Sequence, residues 1–360
     1  MKISYFIHRQ PRFPHGVFQR QEVTLFFLGQ VVIRLRQFQA KSIVICFFQT
    51  LLLGVQPVSY THLLDKRIPP VLKICSGDTV VFQTLEGDWR WEKPPQPASS
   101  SGRTFVERRM PEDRGHALCG PIYVEGAKPG TTLKVSVERI VPHSWGWSRV
   151  GDGDPDHMAR LGLSGGEHFL LWDLDVERRV CRSNAGHIVP MRPFMGVMTV
   201  TPDSDAPVRT HLPGVHGGNL DCKELVAGST LYLPVLVEGA LFSTGDGHAR
   251  QGDGESGCTA IECPMREVRL TFELLRQPFE MLACDAPSGW ITFGFHEDLT
   301  RASYEALENM ARLMERLYGF SRKEALDLSG AVVDMHVTQI VNGVRGVHAI
   351  LPDGAINKKG

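Results

Sequence analysis

The chain has 360 residues and carries 39 Lys and Arg against 40 Asp and Glu, a formal net charge of -1. Such a balance offers no basic stripe to nucleic acid and no polybasic run to an anionic membrane. Partners are therefore expected to be small molecules or protein. The length allows a sizeable buried core, and 36 Gly with 23 Pro imply a chain that turns often.

Residues 1–58 are rich in Phe, Gln, Arg and Ile, poor in Gly and Asp, and hold no chemical motif. They read as an amino-terminal extension that adds little to the core. The apolar run at 42–55 (SIVICFFQTLLLGV) sits too deep for a signal peptide and ends in Gln56-Pro57 instead of a small-residue cleavage site. It is also shorter than the roughly 20 residues a spanning helix needs. The 8 cysteines include no C-x-x-C pair, which favours free thiols in a reducing cytoplasm over a disulfide framework or a thiolate zinc site.

From about residue 66 the pattern becomes regular. Pro69-Pro70 precedes VLKICSGDTVVFQT, where Ser76-Gly77-Asp78 supplies a turn between strand-like runs. Ala127-Lys128-Pro129-Gly130 separates two more, and in the second of them Leu133, Val135 and Val137 alternate with polar residues. That period of two marks a strand with one buried face. HFLLWDLD, FMGVMTVTP, STLYLPVLV, TAIEC and EVRLTFELL read the same way.

Helices are expected only near the carboxy terminus. Tyr304, Leu307, Ala311, Met314 and Tyr318 share one face of a helix closed by Gly319. Ser321 and Glu324 form a capping box for a second helix, stopped by Ser329-Gly330, and AVVDMHVTQIV is a final strand. The expected fold is mainly β, jelly-roll or sandwich-like, with a smaller α+β carboxy-terminal portion. Its divisions are the extension (1–58), a β-rich catalytic region (59–276) and an α+β region closing onto it (277–360).

The most informative stretch runs from His216 to Glu255. HGGNLD (216–221) is followed by a strand and then by TGDGHARQGDGE (244–255), expected as a loop. Within it Asp246, His248, Gln251, Asp253 and Glu255 alternate with glycines, which let a backbone take positive φ and approach a ligand. Carboxylates with a histidine and Asp221 suit a divalent ion, zinc first and calcium second. A solvated Gly/Asp turn is the plain alternative. An EF-hand fails, because His248 and Arg250 stand where oxygen ligands belong. Asp152-Gly153-Asp154-Pro155-Asp156 reads as a surface loop. Cys222 has no neighbouring histidine in sequence to activate it and reads as structural.

HGGNLDCKEL, LYLPVLVEGALFSTGDGHARQGDGE and GHALCGPIYVEGAKPG (115–130) resemble the acetamidase/formamidase family, as do IPPVLKICSGDTVVFQT (68–84) and VPMRPFMGVMTVTP (189–202). The resemblance spans roughly residues 60–352. After its first histidine the family has an aromatic-rich opening, where this chain has His62-Leu63-Leu64-Asp65. The resemblance implies hydrolysis of an amide to a carboxylate and ammonia, a mostly β architecture and a metal at or near the site. With the need to protect strand edges, it also suggests a homo-oligomer.

Amide hydrolysis needs an activated water and a proton for the departing nitrogen. The residues supply candidates for both. Asp221, Asp246 and His248 are expected to bind the metal and Glu255 to shuttle the proton. Asp253 is expected behind them as the reserve base, His116 at the wall, and Asn219 and Gln251 on the substrate. Two alternatives stay open: a non-catalytic jelly-roll binding module with a structural ion, and a metal hydrolase acting on another C–N bond.

Overall fold

The structure, a computed structural model, describes residues 60–94, 115–151, 155–163 and 166–357, with the backbone of four short strands nearer the amino terminus. Those four are Ile3–Tyr5, Val23–Phe27, Val32–Leu35 and Leu52–Val55. The rest of the expected 1–58 extension, and the Asp152–Asp154 part of the expected surface loop, lie outside the described residues. Leu52–Val55 pairs in parallel with β1 (Thr79–Thr84) on one side and with Ile3–Tyr5 on the other, so the end of the apolar run at 42–55 lies within a sheet. Among the described residues no helix is long and apolar enough to cross a membrane, and the cysteines are free thiols.

Two large sheets, almost wholly antiparallel, face each other. The first runs β13–β14–β12–β11–β7–β3–β10–β1. Its strands are β3 (Thr132–Pro142), β7 (Thr230–Pro234), β10 (Met265–Leu275), β11 (Ala283–Ala286), β12 (Gly289–His296), β13 (Asp334–Asn342) and β14 (Val344–Leu351). The second contains β2 (Leu118–Val124), β4 (Trp145–Val150), β5 (Phe194–Thr199), β6 (Gly217–Asn219), β8 (Phe242–Arg250) and β9 (Ile261–Glu262). Val80, Phe82, Leu133, Val135 and Phe272 from one sheet meet Met195, Met198 and Phe242 from the other in one core. The chain is therefore a mainly β, sandwich-like protein, as its alternating runs imply.

Strand β3 shows that alternation directly: Leu133, Val135 and Val137 are buried, while Lys134 and Ser136 are half-buried. Strands β5 and β8 depart from it, being buried on both faces apart from Arg250. Each has a strand on either side of it in the second sheet. The short helix α1 (Pro155–Arg160) interrupts the strands.

Of the two long helices, α2 (Leu299–Tyr318) packs on β12 and β14 and α3 (Arg322–Val332) packs on α2, around a second cluster of buried residues. Gly319 closes α2 in the left-handed conformation at φ 68, and Ser321 Oγ accepts from Glu324 N–H at 3.2 Å. Two details differ from expectation. The buried face of α2 is Ala302, Ala306, Met310, Ala311, Leu313 and Met314, and Tyr304 is 69% exposed. Contacts with β12 set this rotation, since Thr292 Oγ1 donates to Ala306 O at 2.8 Å and Asn309 Nδ2 to Phe293 O at 2.9 Å. Helix α3 also continues through Ser329-Gly330 to Val332, because the Ser329 hydroxyl bonds back to Ala325 O at 2.7 Å within the turn.

Candidate active site

The first half of GDGHARQGDGE is strand, not loop: Gly245 to Arg250 belong to β8. The period of two places Asp246 and His248 on one face and Gly245 and Gly247 on the other. The role of those two glycines is close approach, not positive φ. A Cβ at Gly245 would lie 2.4 Å from Ala117 O, and one at Gly247 would lie 2.7 Å from Cys263 O. Both faces of β8 are thus pinned between neighbours, and the two ionisable residues are held on a rigid element.

Neighbouring strands complete the group. Glu262 on β9 stands opposite His248 in the antiparallel register. Strand β5 pairs with the other side of β8, Phe194 opposite His248. Beyond β5, β6 leads into Asp221, whose N–H reaches Gly196 O at 3.2 Å. Glu255 arrives from the loop after β8, tied to Gly252 O at 3.3 Å. Three of these acids have left-handed backbones: Asp221 at φ 47, Asp246 at φ 58 and Glu255 at φ 45. That region disfavours side chains with a Cβ, and such outliers gather where function over-determines them.

Donor atoms of Asp221, His248 and Glu255 lie within 4.8 Å of one another, and so do those of Asp246, His248 and Glu262. The two trios share His248, and all five residues are buried. His248 Nε2 is 3.1 Å from Glu262 Oε2 and 3.4 Å from Asp246 Oδ2. Burial opposes charge on this imidazole, but the Glu262 and Asp246 carboxylates outweigh it and hold the ring well above its usual range. Asp246 is correspondingly lowered, burial being overcome by His116 and His248. The remaining acids are not neutralised in this way. Burial, with the Asp246 charge adding to it, pushes Asp221 up to about 7, and burial with Asp221 drives Glu255 well above the carboxylate range. Burial likewise raises Glu262.

Four carboxyls around one imidazole in a dry site are short of positive charge. Asp221 Oδ1, Glu255 Oε2, Glu262 Oε2 and His248 Nδ1 are buried without a hydrogen-bond partner. Gly196 leaves a cradle among them: a Cβ there would meet Asp246 Oδ2 at 2.5 Å, Asp221 Oδ1 at 2.8 Å and His248 Cε1 at 2.9 Å. Carboxylate oxygens gathered this closely beside an imidazole, several of them orphaned, are a donor set that fits a divalent cation.

The other expected residues are distributed around this group. His116 precedes β2, with Nε2 4.0 Å from Asp246 Oδ2, and its 23% exposed side chain marks the way in from solvent. Asn219 and Gln251 are buried at the edge, each with an unpartnered side-chain oxygen, and Gln251 Nε2 donates to Asp221 O at 2.7 Å. Asp253 faces away from the cluster, bonding Lys223 Nζ at 2.9 Å and His336 Nδ1 at 3.0 Å. Asp253, His336 and His348 also gather donor atoms. However, the two rings stack nearly parallel at 4.9 Å and 7°, so no ion can lie in both ring planes, and the Lys223 ammonium already compensates Asp253. Cys222 is buried, and burial pushes its thiol up to about 12, which leaves it inert as a nucleophile. Glu262 was not singled out in the sequence, where TAIEC reads only as a strand. Its signal is the cross-strand register with His248.

Residues 204–291, which carry Asp221, Asp246, His248, Glu255 and Glu262, match the model of the Acetamidase/Formamidase family. A Schizosaccharomyces pombe protein named as a candidate formamidase is 27% identical over 355 residues, covering 76% of this chain and 84% of its own. A Mycolicibacterium smegmatis acetamidase is 30% identical over 206 residues, 41% of this chain and 50% of its own. The crystal structure of an acetamidase from Bacillus halodurans superposes with a TM-score of 0.73 at 28% identity, covering 83% of this chain and 97% of that one. The likeness thus extends from the buried acidic cluster across most of the sandwich, and the chain is similar to members of the Acetamidase/Formamidase family.

Proposed function

We propose that this chain is an amidohydrolase that converts a small linear amide, of the formamide and acetamide class, to a carboxylate and ammonia. The observation that carries the reading is the pair of buried donor trios that share His248, one with Asp221 and Glu255 and one with Asp246 and Glu262, several of whose atoms lack a partner. Asp221, Asp246 and His248, with Glu262 beside them, would hold a divalent ion, zinc before calcium because an imidazole sits among the oxygens, and would leave Glu255 free for the proton. Bound there, such an ion supplies Lewis acidity toward a carbonyl and lowers the pKa of water.

The protein's own groups carry the remaining steps. Glu255 is the proton shuttle: burial and the neighbouring Asp221 raise its proton affinity above that of an ordinary carboxylate, which suits a group that takes a proton from water and returns it to the leaving nitrogen. Asn219 Oδ1 and Gln251 Oε1, both unpartnered acceptors, suit the two N–H groups of a primary amide. His116, at the mouth, orients the substrate beside Asp246. The burial of Asp221, Asp246, His248, Glu255 and Glu262 suits a small acyl group and the exclusion of bulk water. Copies of the chain are inferred to associate, covering sheet edges such as β13, where Met335 is exposed.

The test is ammonia release over a short panel of amides, from formamide to longer acyl chains, with and without a chelator. Turnover confined to small amides and abolished by the chelator is expected. Tight metal binding with no hydrolysis of any amide would replace this reading with a binding module holding a structural ion.

A further inference from the structure

The carboxy-terminal hairpin of β13 and β14 belongs to the α+β portion, yet its tip reaches the buried acids. Asn342, at the end of β13, donates from Nδ2 to Asp221 Oδ2 at 2.6 Å. The contact is prepared by the preceding residues. Gln339 is fully buried, and its side-chain oxygen accepts from Val341 N at 3.0 Å and Asn342 N at 3.2 Å. This breaks the β13–β14 register between Gln339 and Asn342. The same strand grips the loop that carries Glu255, with Gly254 N donating to Thr338 O at 3.0 Å and Ile340 N to Gly254 O at 3.1 Å.

We propose that Asn342 is a positioning residue of the active site, holding the Asp221 carboxylate with Oδ2 engaged and Oδ1 turned toward Asp246 and His248. The argument is one of geometry. Asp221 sits on a left-handed backbone, and Gln251 fixes only its carbonyl. Without a donor on Oδ2 the carboxylate is free to rotate, and Oδ1 leaves its place beside Gly196, where an added Cβ would meet it at 2.8 Å. An amide donor is suited to this place because it holds the carboxylate without adding a charge that would compete with a cation. The inference rests on the proposed cation site and deepens it. Outer partners of this kind are typically worth about 10–100-fold in metal affinity or activity.

The test compares Asn342→Ala with Asn342→Asp in the full chain. Zn²⁺ affinity is measured by competition with a chromophoric chelator, kcat and KM on formamide, and Tm. Asn342→Ala should lose about 10–100-fold in Zn²⁺ affinity and in kcat, with KM changed less. Asn342→Asp, the closer match in shape, should lose more, because it sets a carboxylate against Asp221. A residue that served only packing would reverse that order. The inference is overturned if Asn342→Asp binds Zn²⁺ and turns over like the parent, or if both variants change only Tm. Should the parent bind Zn²⁺ but hydrolyse no amide, the proposed reaction fails while the affinity comparison still decides the role of Asn342.

Discussion

Substituting Gly196 by alanine would place a single methyl group in the space that the acids surround. No backbone obstacle exists, since Gly196 is not among the glycines with positive φ. The obstacle is steric: Asp246 Oδ2, Asp221 Oδ1 and His248 Cε1 would lie at 2.5, 2.8 and 2.9 Å, all inside the 3.0 Å that real Cβ atoms respect. All three belong to buried residues on short tethers, so each must withdraw by some tenths of an ångström or β5 must shift. Overpacking of this kind costs about 1–3 kcal/mol, a loss the fold should survive. The effect on the site should be larger, because misplacing reacting groups by about 1 Å can cost 10²-fold. We expect Gly196→Ala to lose roughly 10²-fold in kcat/KM on formamide and most of its bound metal, with circular dichroism unchanged. Gly252→Ala is the control, since a Cβ there meets nothing within 4 Å. If Gly196→Ala kept its metal and came within a few-fold of parental turnover, the cradle would not be the reacting space.

Three further outcomes are expected. Glu255→Gln should keep the fold while turnover falls by at least ~10²; near-normal turnover would transfer the shuttle to another group. Cys222→Ala should retain activity within a few-fold in the same ammonia assay, and complete loss in a folded variant would reinstate the thiol as a nucleophile. Stability should depend on pH through Glu224. Burial draws this carboxyl up, but hydrogen bonds and charge from Arg192 and Lys223 outweigh it and hold it at about 2. A depressed folded pKa stabilises above the unfolded value of about 4.3 and loses that contribution as pH falls toward 2. Thermal melts from pH 5 to 2 should show a decline of about 1–3 kcal/mol from this group, discounted for the partly exposed Arg192 side. In Glu224→Gln that part of the decline should disappear.

How far the chain could be read in advance depended on how local each signal is. Alternation along 132–137 and the caps at Gly319 and Ser321 are set by near neighbours, and the structure has them where the sequence places them. The spacing of Asp246 and His248 was legible for the same reason, although the glycines between them were misread as loop residues. Their close-packing role depends on Ala117 and Cys263, which sequence distance hides. Asp253 shows the limit of a crowded motif, because one turn of backbone separates it from Glu255 and sends it to Lys223 and His336. Glu262 and Asn342 were out of reach, since only strand register brings the first to His248 and only a distant hairpin brings the second to Asp221. The face of α2 failed similarly: apolar spacing suggested Tyr304, but hydrogen bonds to β12 chose the alanines.

Asp246 and His248 lie on β8, which is hydrogen-bonded to β2, β5 and β9 and buried along nearly its whole length. Amide protons in such a strand exchange with solvent only through large-scale opening, whereas those of a loop exchange through local fluctuations. Asp246 and His248 are therefore expected in the slowest-exchanging part of the molecule. Partial unfolding that loosens the carboxy-terminal helices or the amino-terminal strands would leave them assembled. Activity lost ahead of the global transition would then report on the β13–β14 hairpin and the Glu255 loop, not on β8. The β8 amides serve as a built-in reporter of that transition, and a deuterium-exchange experiment can follow chemistry and folding on the same residues.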